Sequence, residues 1–318
     1  MNKLIIALVT AALLALAAAG CTGGNGLKQE VIQAFDKQKD MNSYRFSGQT
    51  VLQTDYKLAN PDRQPLTAGL FELLKQSTLS WEGVASRNPA RLEMTWKITP
   101  QGRNSSIEVP FIVKDDKAYF HIPSINAENE YFVMDLQKSP QGSQLALTPE
   151  MLNQAAGLPS FILKSLTESI NPNWFSEKKD TQADAPAAGK SVSIEIKPEN
   201  FGDFVKDVIS VLPDISAELQ KIGLPAAQLQ KLPERLSSSA DSMRLRQPLT
   251  LTVALDKQGF VRGETINLDL AIKQSDGTET HVQLQKQTKY DQINGNPAFS
   301  MEIPQNTKSI EDVLRLVK

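Results

Sequence analysis

Two histidines, one cysteine and a pair of adjacent aspartates are the residues of this chain best suited to chemistry. His121 follows Tyr119-Phe120 and precedes Ile122-Pro123. The sequence nominates no partner at hydrogen-bond reach, so this imidazole reads as a strand-end group rather than a general base. His281 opens a strand after a turn and reads the same way. Asp115-Asp116 has the oxygens to chelate a hard cation. Flanked by Lys114 and Lys117, however, the pair reads first as a solvated hairpin turn, and no D-x-D-x-D-G calcium loop is present. There is no G-x-S-x-G, Walker A, G-x-G-x-x-G or H-E-x-x-H motif. A lone cysteine excludes an internal disulfide and a cysteine-based zinc site. Glu199 and Asp203 flank the start of a helical pattern, where they complement the helix dipole. No catalytic residue, metal or cofactor is expected. The chain reads as not an enzyme, with carboxylate-only chemistry as the remaining enzymatic route.

The charges nearly balance, with 34 Lys plus Arg against 36 Asp plus Glu and a net charge of -2. That balance leaves no electrostatic footprint for nucleic acid. A hydrophobic fraction of 40% supports a packed core. Lys3 precedes an uncharged apolar run over 4–19, shorter than the roughly 20 residues of a membrane span but suited to a signal peptide over 1–20. The stretch Leu16-Ala17-Ala18-Ala19-Gly20-Cys21 resembles a bacterial lipobox, with Ala18 where leucine is commonest. The resemblance implies that the Cys21 thiol carries a diacylglyceryl group and becomes the mature N-terminus. Acyl chains such as palmitate would then be the anchor on the extracytoplasmic face of the cell membrane. Residues 21–26 read as a flexible tether.

The elements that would position a site follow from periodicity. Leu27, Val31, Ile32 and Phe35 share one helix face. Strands are predicted at 44–48, from Leu79 through Trp81, and at 91–98, 106–113, 118–122 and 131–134, and again at 192–196, 249–255, 266–272 and 282–290. Most alternate apolar and polar residues, so one face of each is covered and one is wet. Between them the period changes. Thr148-Pro149-Glu150 is a helix start, and Leu158, Phe161, Ile162, Leu166 and Ile170 continue on one face. Phe201, Phe204, Val205, Val208, Ile209 and Leu212 form the clearest amphipathic helix, with Pro213, Pro225 and Pro233 predicted to break the helical pattern into pieces. Residues 176–190 read as a surface loop and 309–318 as a short terminal helix.

These elements predict an α+β fold: one large curved antiparallel sheet, an incomplete β-barrel of about eleven strands, with helices covering its concave face. The helical insertions near 148–175 and 198–240 lie between two β-meanders and are its natural cover. Two separate domains divided near 176–190 are the competing organisation. The face carrying Trp81, Met94, Trp96, Val109, Phe111, Leu251 and Leu268 must be covered. Phe161, Phe204 and Val208 of the helices are the residues to cover it. Trp174, like the other two tryptophans, is expected to pack in the core. If the helices fill the concavity, it is a core. If they stand off as a lid, it is a hydrophobic cavity for an acyl chain.

A lipobox cysteine, an amphipathic helix, the Met41-Asn42-Ser43-Tyr44-Arg45-Phe46 strand entry, meanders enclosing helices, and a close from Tyr290-Asp291-Gln292-Ile293 to Ile303-Pro304 together resemble LolA-like and LppX-like bacterial lipoproteins. The resemblance spans 27–318 as one domain and is strongest to uncharacterised lipoproteins of Gram-positive bacteria. It implies an incomplete barrel with a helical lid over a hydrophobic cavity, and a carrier of lipids or lipoproteins, or a sensor, in the cell envelope. It carries over no catalytic residue. Two functions follow: binding of acyl chains or another amphiphile, or a filled-core lipoprotein that meets an envelope protein partner.

Overall fold

The structure, a computed structural model, describes residues 23–56, 65–103, 105–123, 125–137, 149–178, 188–274 and 276–310. The signal-peptide and Cys21 readings, and most of the terminal-helix reading, fall outside these residues.

The N-terminal alternating segments become β1 (Ser43–Thr54), β2 (Gln76–Arg87), β3 (Ala90–Pro100), β4 (Ile107–Lys114), β5 (Lys117–Phe120) and β6 (Tyr131–Asp135). The remainder are β7 (Phe175–Lys178), β8 (Ala188–Ile196), β9 (Met243–Leu245), β10 (Leu249–Asp256), β11 (Val261–Lys273), β12 (Glu279–Asp291) and β13 (Thr307–Ser309). The helices are α1 (Gly24–Lys37), α2 (Pro65–Leu74), α3 (Pro149–Ser169), α4 (Phe201–Lys221), α5 (Ala226–Leu229) and α6 (Leu232–Ser239).

All thirteen described strands join one curved, open sheet in the order β13-β6-β5-β4-β3-β2-β1-β12-β11-β10-β8-β7, with β9 on β11. Pairing is antiparallel except between β13 and β6. The fold class is α+β. The sequence count of about eleven strands compares with thirteen described, and β7, β9 and β13, of only three or four residues, are not among the predicted ranges. The turn at Asp115-Asp116 is a two-residue hairpin whose φ angles of 52° and 55° are those an Asp pair tolerates in a primed turn. The two meanders meet where β1 pairs with β12, in register from Arg45 opposite Asp291 to Thr54 opposite Val282.

Three sequence expectations need correction. Pro213 does not end its helix but lies inside α4. A prolyl ring in a helix interior costs about 3 kcal/mol. Burying Phe201, Val205 and Ile215 on one side of α4 returns roughly 1.5–3 kcal/mol each, so packing prevails. The tether over 21–26 gives way to helix from Gly24, whose missing Cβ lets the backbone approach the carbonyl of Pro172. The loop over 176–190 is strand at both ends, in β7 and β8.

Helices α1, α3, α4 and α6 cover one half of the sheet, and α2 lies against β2 and β3. Leu27, Val31 and Phe35 of α1 and Phe201 and Val205 of α4 pack with Val192 and Ile194 of β8, Val253 of β10 and Val261 of β11 into one buried cluster. Leu163 of α3 and Leu236 of α6 close over it. The helical face of Leu27, Val31, Ile32 and Phe35 was readable from the sequence, but its place in this roof was not.

Candidate functional site

Residues paired directly across antiparallel strands share a face, so register maps the covered side. One row crosses from Val253 through Glu264 and Thr288 to Gly48, Trp81, Trp96 and Val109. The next crosses from Tyr290 through Phe46, Gly83 and Met94 to Phe111, Phe120 and Phe132. This inner face is apolar along most of its width, while its reverse carries Arg45, Gln49, Lys97 and Glu108 together with buried Val84, Ile112 and Tyr119.

The two halves of the inner face differ in packing. Beneath the helices Val192 and Val253 are fully buried, with Leu251 and Leu268 half-buried beside them, and at the far edge of the other half Phe132 is buried. Across β1 to β4, Phe46, Trp81, Met94, Trp96, Val109 and Phe111 are only half-buried. They form an aromatic floor: Trp96 and Phe111 have ring centres 5.8 Å apart, Phe111 and Phe120 6.5 Å, and Phe120 and Phe132 5.5 Å. Two glycines admit the large rings. Trp81 occupies the space above Gly48, and the Phe46 ring occupies that above Gly83.

The ten residues nominated for a cavity therefore separate. Trp81, Met94, Trp96, Val109 and Phe111 lie together on the aromatic floor of β2 to β4. Leu251, Leu268 and Phe204 pack against the filled cluster under the helices. Phe161 on α3 and Val208 on α4 are half-buried. Trp174 packs against the filled cluster.

Between the two halves lies a polar group that sequence reasoning missed. Glu264 and Thr288 face each other across β11 and β12 and are 3% and 5% exposed. Neither Glu264 Oε2 nor Thr288 Oγ1 has a hydrogen-bond partner. Lys286 Nζ approaches Glu264 Oε2 at 4.0 Å, close enough for charge attraction but too far for a hydrogen bond. Burial raises the Glu264 carboxyl above the usual range, and Lys286 opposes that shift. Burial, with Glu264 and Tyr44 nearby, holds the Tyr290 phenol well above its ordinary value, so it remains a neutral donor. The Tyr44 ring stands 6.0 Å from that of Tyr290 and is likewise raised by burial. A signal was present: Glu264 has the parity of Ile266, Leu268 and Leu270, and Lys286 and Thr288 that of Val282 and Leu284. Polar residues on an apolar parity mark an interior polar site.

The other nominated residues are structural. His121 Nδ1 lies 2.7 Å from the Glu130 carbonyl oxygen, with its ring against Tyr131. Asp116 accepts from Gln137 Nε2, and Asp203 pairs with Lys206. His281 lies 3.7 Å from Asp55 and helps line a polar cavity of about 530 Å3 with Gln53, Gln76, Gln101 and Lys75. That cavity opens on the reverse of the sheet, away from the aromatic floor. Among the described residues no three His, Cys, Asp or Glu side chains gather as a metal site. No described helix is long and apolar enough to cross a membrane.

The fold and site define an open α+β half-barrel whose apolar face is half roofed by helices and half floored by aromatics. Solved structures similar to the chain include LprF from Mycobacterium bovis, at 10% identity over 87% of this chain and 96% of that one, with a TM-score of 0.34. Lipovitellin, solved for its lipid–protein interactions, matches at 11% identity over 83% of this chain and 26% of its own, with a TM-score of 0.29. A DUF1329 family protein from Desulfovibrio piger matches at 6% identity over 87% and 94%, with a TM-score of 0.22. No protein-family model and no curated protein matches the chain.

Proposed function

We propose that this chain is a membrane-anchored lipoprotein that holds acyl chains, or another amphiphile, on the aromatic floor of its half-barrel and carries them within the cell envelope. The observation that carries this reading is the contrast across one continuous apolar face: filled beneath α1, α3 and α4, half-buried over Trp81, Trp96 and Phe111. An acyl chain laid on those rings leaves water at about 0.8 kcal/mol per methylene. Ring faces and edges tolerate chains of different length, so such a floor selects for hydrocarbon rather than for one lipid. Cys21 supplies the anchor, on the extracytoplasmic face of the cell membrane, and no chemistry is performed on the cargo. The test is solvent extraction of lipid from purified Cys21→Ser protein, which lacks the acylated thiol, followed by titration with a fluorescent fatty acid. Co-purified lipid and saturable binding are expected. Protein that is consistently empty and ignores the probe overturns the reading.

A second reading has its own support in the filled half. If the whole face packs as that half does, the protein is a non-enzymatic interaction or sensor lipoprotein that meets an envelope protein through its polar reverse. Recovery of a stoichiometric partner, with no lipid, distinguishes it.

A further inference from the structure

The polar group at the boundary of the two halves is unusual for its position. Three of the inward residues of β12 in sequence, Lys286, Thr288 and Tyr290, carry hydrogen-bonding groups where the strand otherwise presents Val282 and Leu284. A buried, unpartnered oxygen costs about 1–3 kcal/mol, and two of them face each other here. One step along the same row lies Gly48, and beyond it Trp81 and Trp96 of the aromatic floor. The unpartnered oxygens thus stand at one end of the surface proposed for the acyl chain.

We propose that Glu264, Thr288, Lys286 and Tyr290 form a head-group subsite that receives the carboxyl of a single-chain fatty acid while the tail runs over Trp81 and Trp96. This inference rests on the acyl-chain reading and adds to it the identity of the polar end. The donors are in place. Lys286 offers an ammonium whose nearest acid is 4.0 Å away, and Thr288 an unengaged hydroxyl. Tyr290 adds a phenol that stays protonated. Glu264 is the complementary half. Two carboxyl groups brought together share one proton, because both cannot be ionised at contact distance in a dry site. A fatty-acid carboxyl beside Glu264 therefore leaves one proton between two carboxylates. The single remaining negative charge is matched by Lys286, and the filled site is neutral. A phosphate head group does not balance in this way: it brings up to two negative charges to a site with one cation and one acid. A neutral ester brings acceptors only, and leaves the ammonium without a counter-charge once Glu264 is protonated.

The experiment compares palmitate with methyl palmitate on the full-length Cys21→Ser chain, in the wild-type background and with Lys286→Gln or Glu264→Gln. The ester keeps the tail and loses the ionisable head. The expected result is that wild-type protein prefers palmitate by about tenfold, the worth of one charge-assisted hydrogen bond, and that Lys286→Gln removes the preference by weakening palmitate more than the ester. Palmitate labelled with carbon-13 at its carboxyl gives a second readout: its chemical shift should move between wild type and Glu264→Gln. Lys286 is partly exposed, so its variant should fold even if the Glu264 variant does not. Equal affinity for acid and ester in the wild type, or a preference that survives Lys286→Gln, overturns the subsite while the acyl-chain reading stands. Failure of both probes to bind overturns both.

Discussion

The Trp81 indole stands over Gly48, its cross-strand partner: a Cβ added to Gly48 would lie 2.4 Å from Trp81 Cζ2 and 2.5 Å from the carbonyl oxygen of Gln287. The second of those neighbours is backbone of β12 and cannot turn aside. Gly48→Ala must therefore displace both the ring and the β1–β12 pairing that unites the meanders. A loss of about 1–3 kcal/mol is expected, the usual cost of overpacking, together with a shift in tryptophan emission. Denaturant unfolding followed by fluorescence measures both, and an unchanged midpoint would contradict the geometry.

The two halves of the inner face should respond differently to truncation. Ile194 is fully enclosed beneath the helices, and Ile194→Ala should cost about 2–5 kcal/mol with no specific effect on fatty-acid affinity. Trp96 is larger but half-buried. Trp96→Ala should cost less than the roughly 3–5 kcal/mol of an enclosed aromatic, while weakening acyl-chain binding severalfold. Thermal melts and probe titrations on both variants separate the cases. The same ranking for stability and binding would show the face to be packed uniformly.

Glu264 should make the protein less stable as pH rises. Its folded pKa is raised by burial. Below the ordinary glutamate pKa both folded and unfolded chains hold the proton, and there is no difference. Above it the unfolded chain releases the proton while the folded chain retains it, so stability falls with pH until the raised folded pKa is reached. Glu264→Gln abolishes the titration. Its unfolding free energy should lack this fall and exceed that of the wild type at the upper end of the window. Melts of ligand-free protein across pH, wild type against variant, provide the measurement, and parallel curves would refute the assignment.

The end of the chain is held by a different carboxylate. Glu93, buried on the reverse of β3, receives the backbone N–H groups of Ser300 and Met301 at 2.7 and 2.9 Å and pairs with Arg91. Arg91 in turn lies 4.3 Å from the centre of the Phe299 ring. Glu93→Ala leaves those donors and the guanidinium without their acceptor, at about 3–5 kcal/mol for a broken buried ion pair. Hydrogen exchange at Ser300 and Met301 should accelerate far more than in β1. Slow exchange retained there would mean that β13 pairing, not Glu93, secures the segment.

Acid should loosen that pairing independently. The Glu130 carboxyl, on the residue before β6, is lowered from its ordinary value first by its hydrogen bond with Lys308 of β13, with the Ala127 amide assisting. A lowered acid stabilises the fold above its unfolded pKa, and that contribution is lost as pH falls through the folded value. Exchange of β13 amides should rise in this acidic range. In Lys308→Met the rise should be absent.

The sequence by itself determined the local elements and their faces. Alternation at 91–98, 249–255 and 266–272 located strands and assigned inner and outer residues, because a side-chain period of two survives in any pairing. The period of α4 was equally plain, since helical spacing needs only neighbours in the chain. Even the parity of Glu264 and Lys286 was available. Tertiary structure alone decided that β1 pairs with β12, that Pro213 stays within a helix, and that α1, α3 and α4 gather over one half of the sheet. Those outcomes depend on packing between residues far apart in the chain, such as that which brings Leu27 and Ile194 into one buried cluster. The free energy of such contacts is set by burial and not by local spacing. Whether Trp96 lies in a filled core or on an accessible floor is a question of that kind: its period placed it inward, and only the tertiary packing left it half-buried.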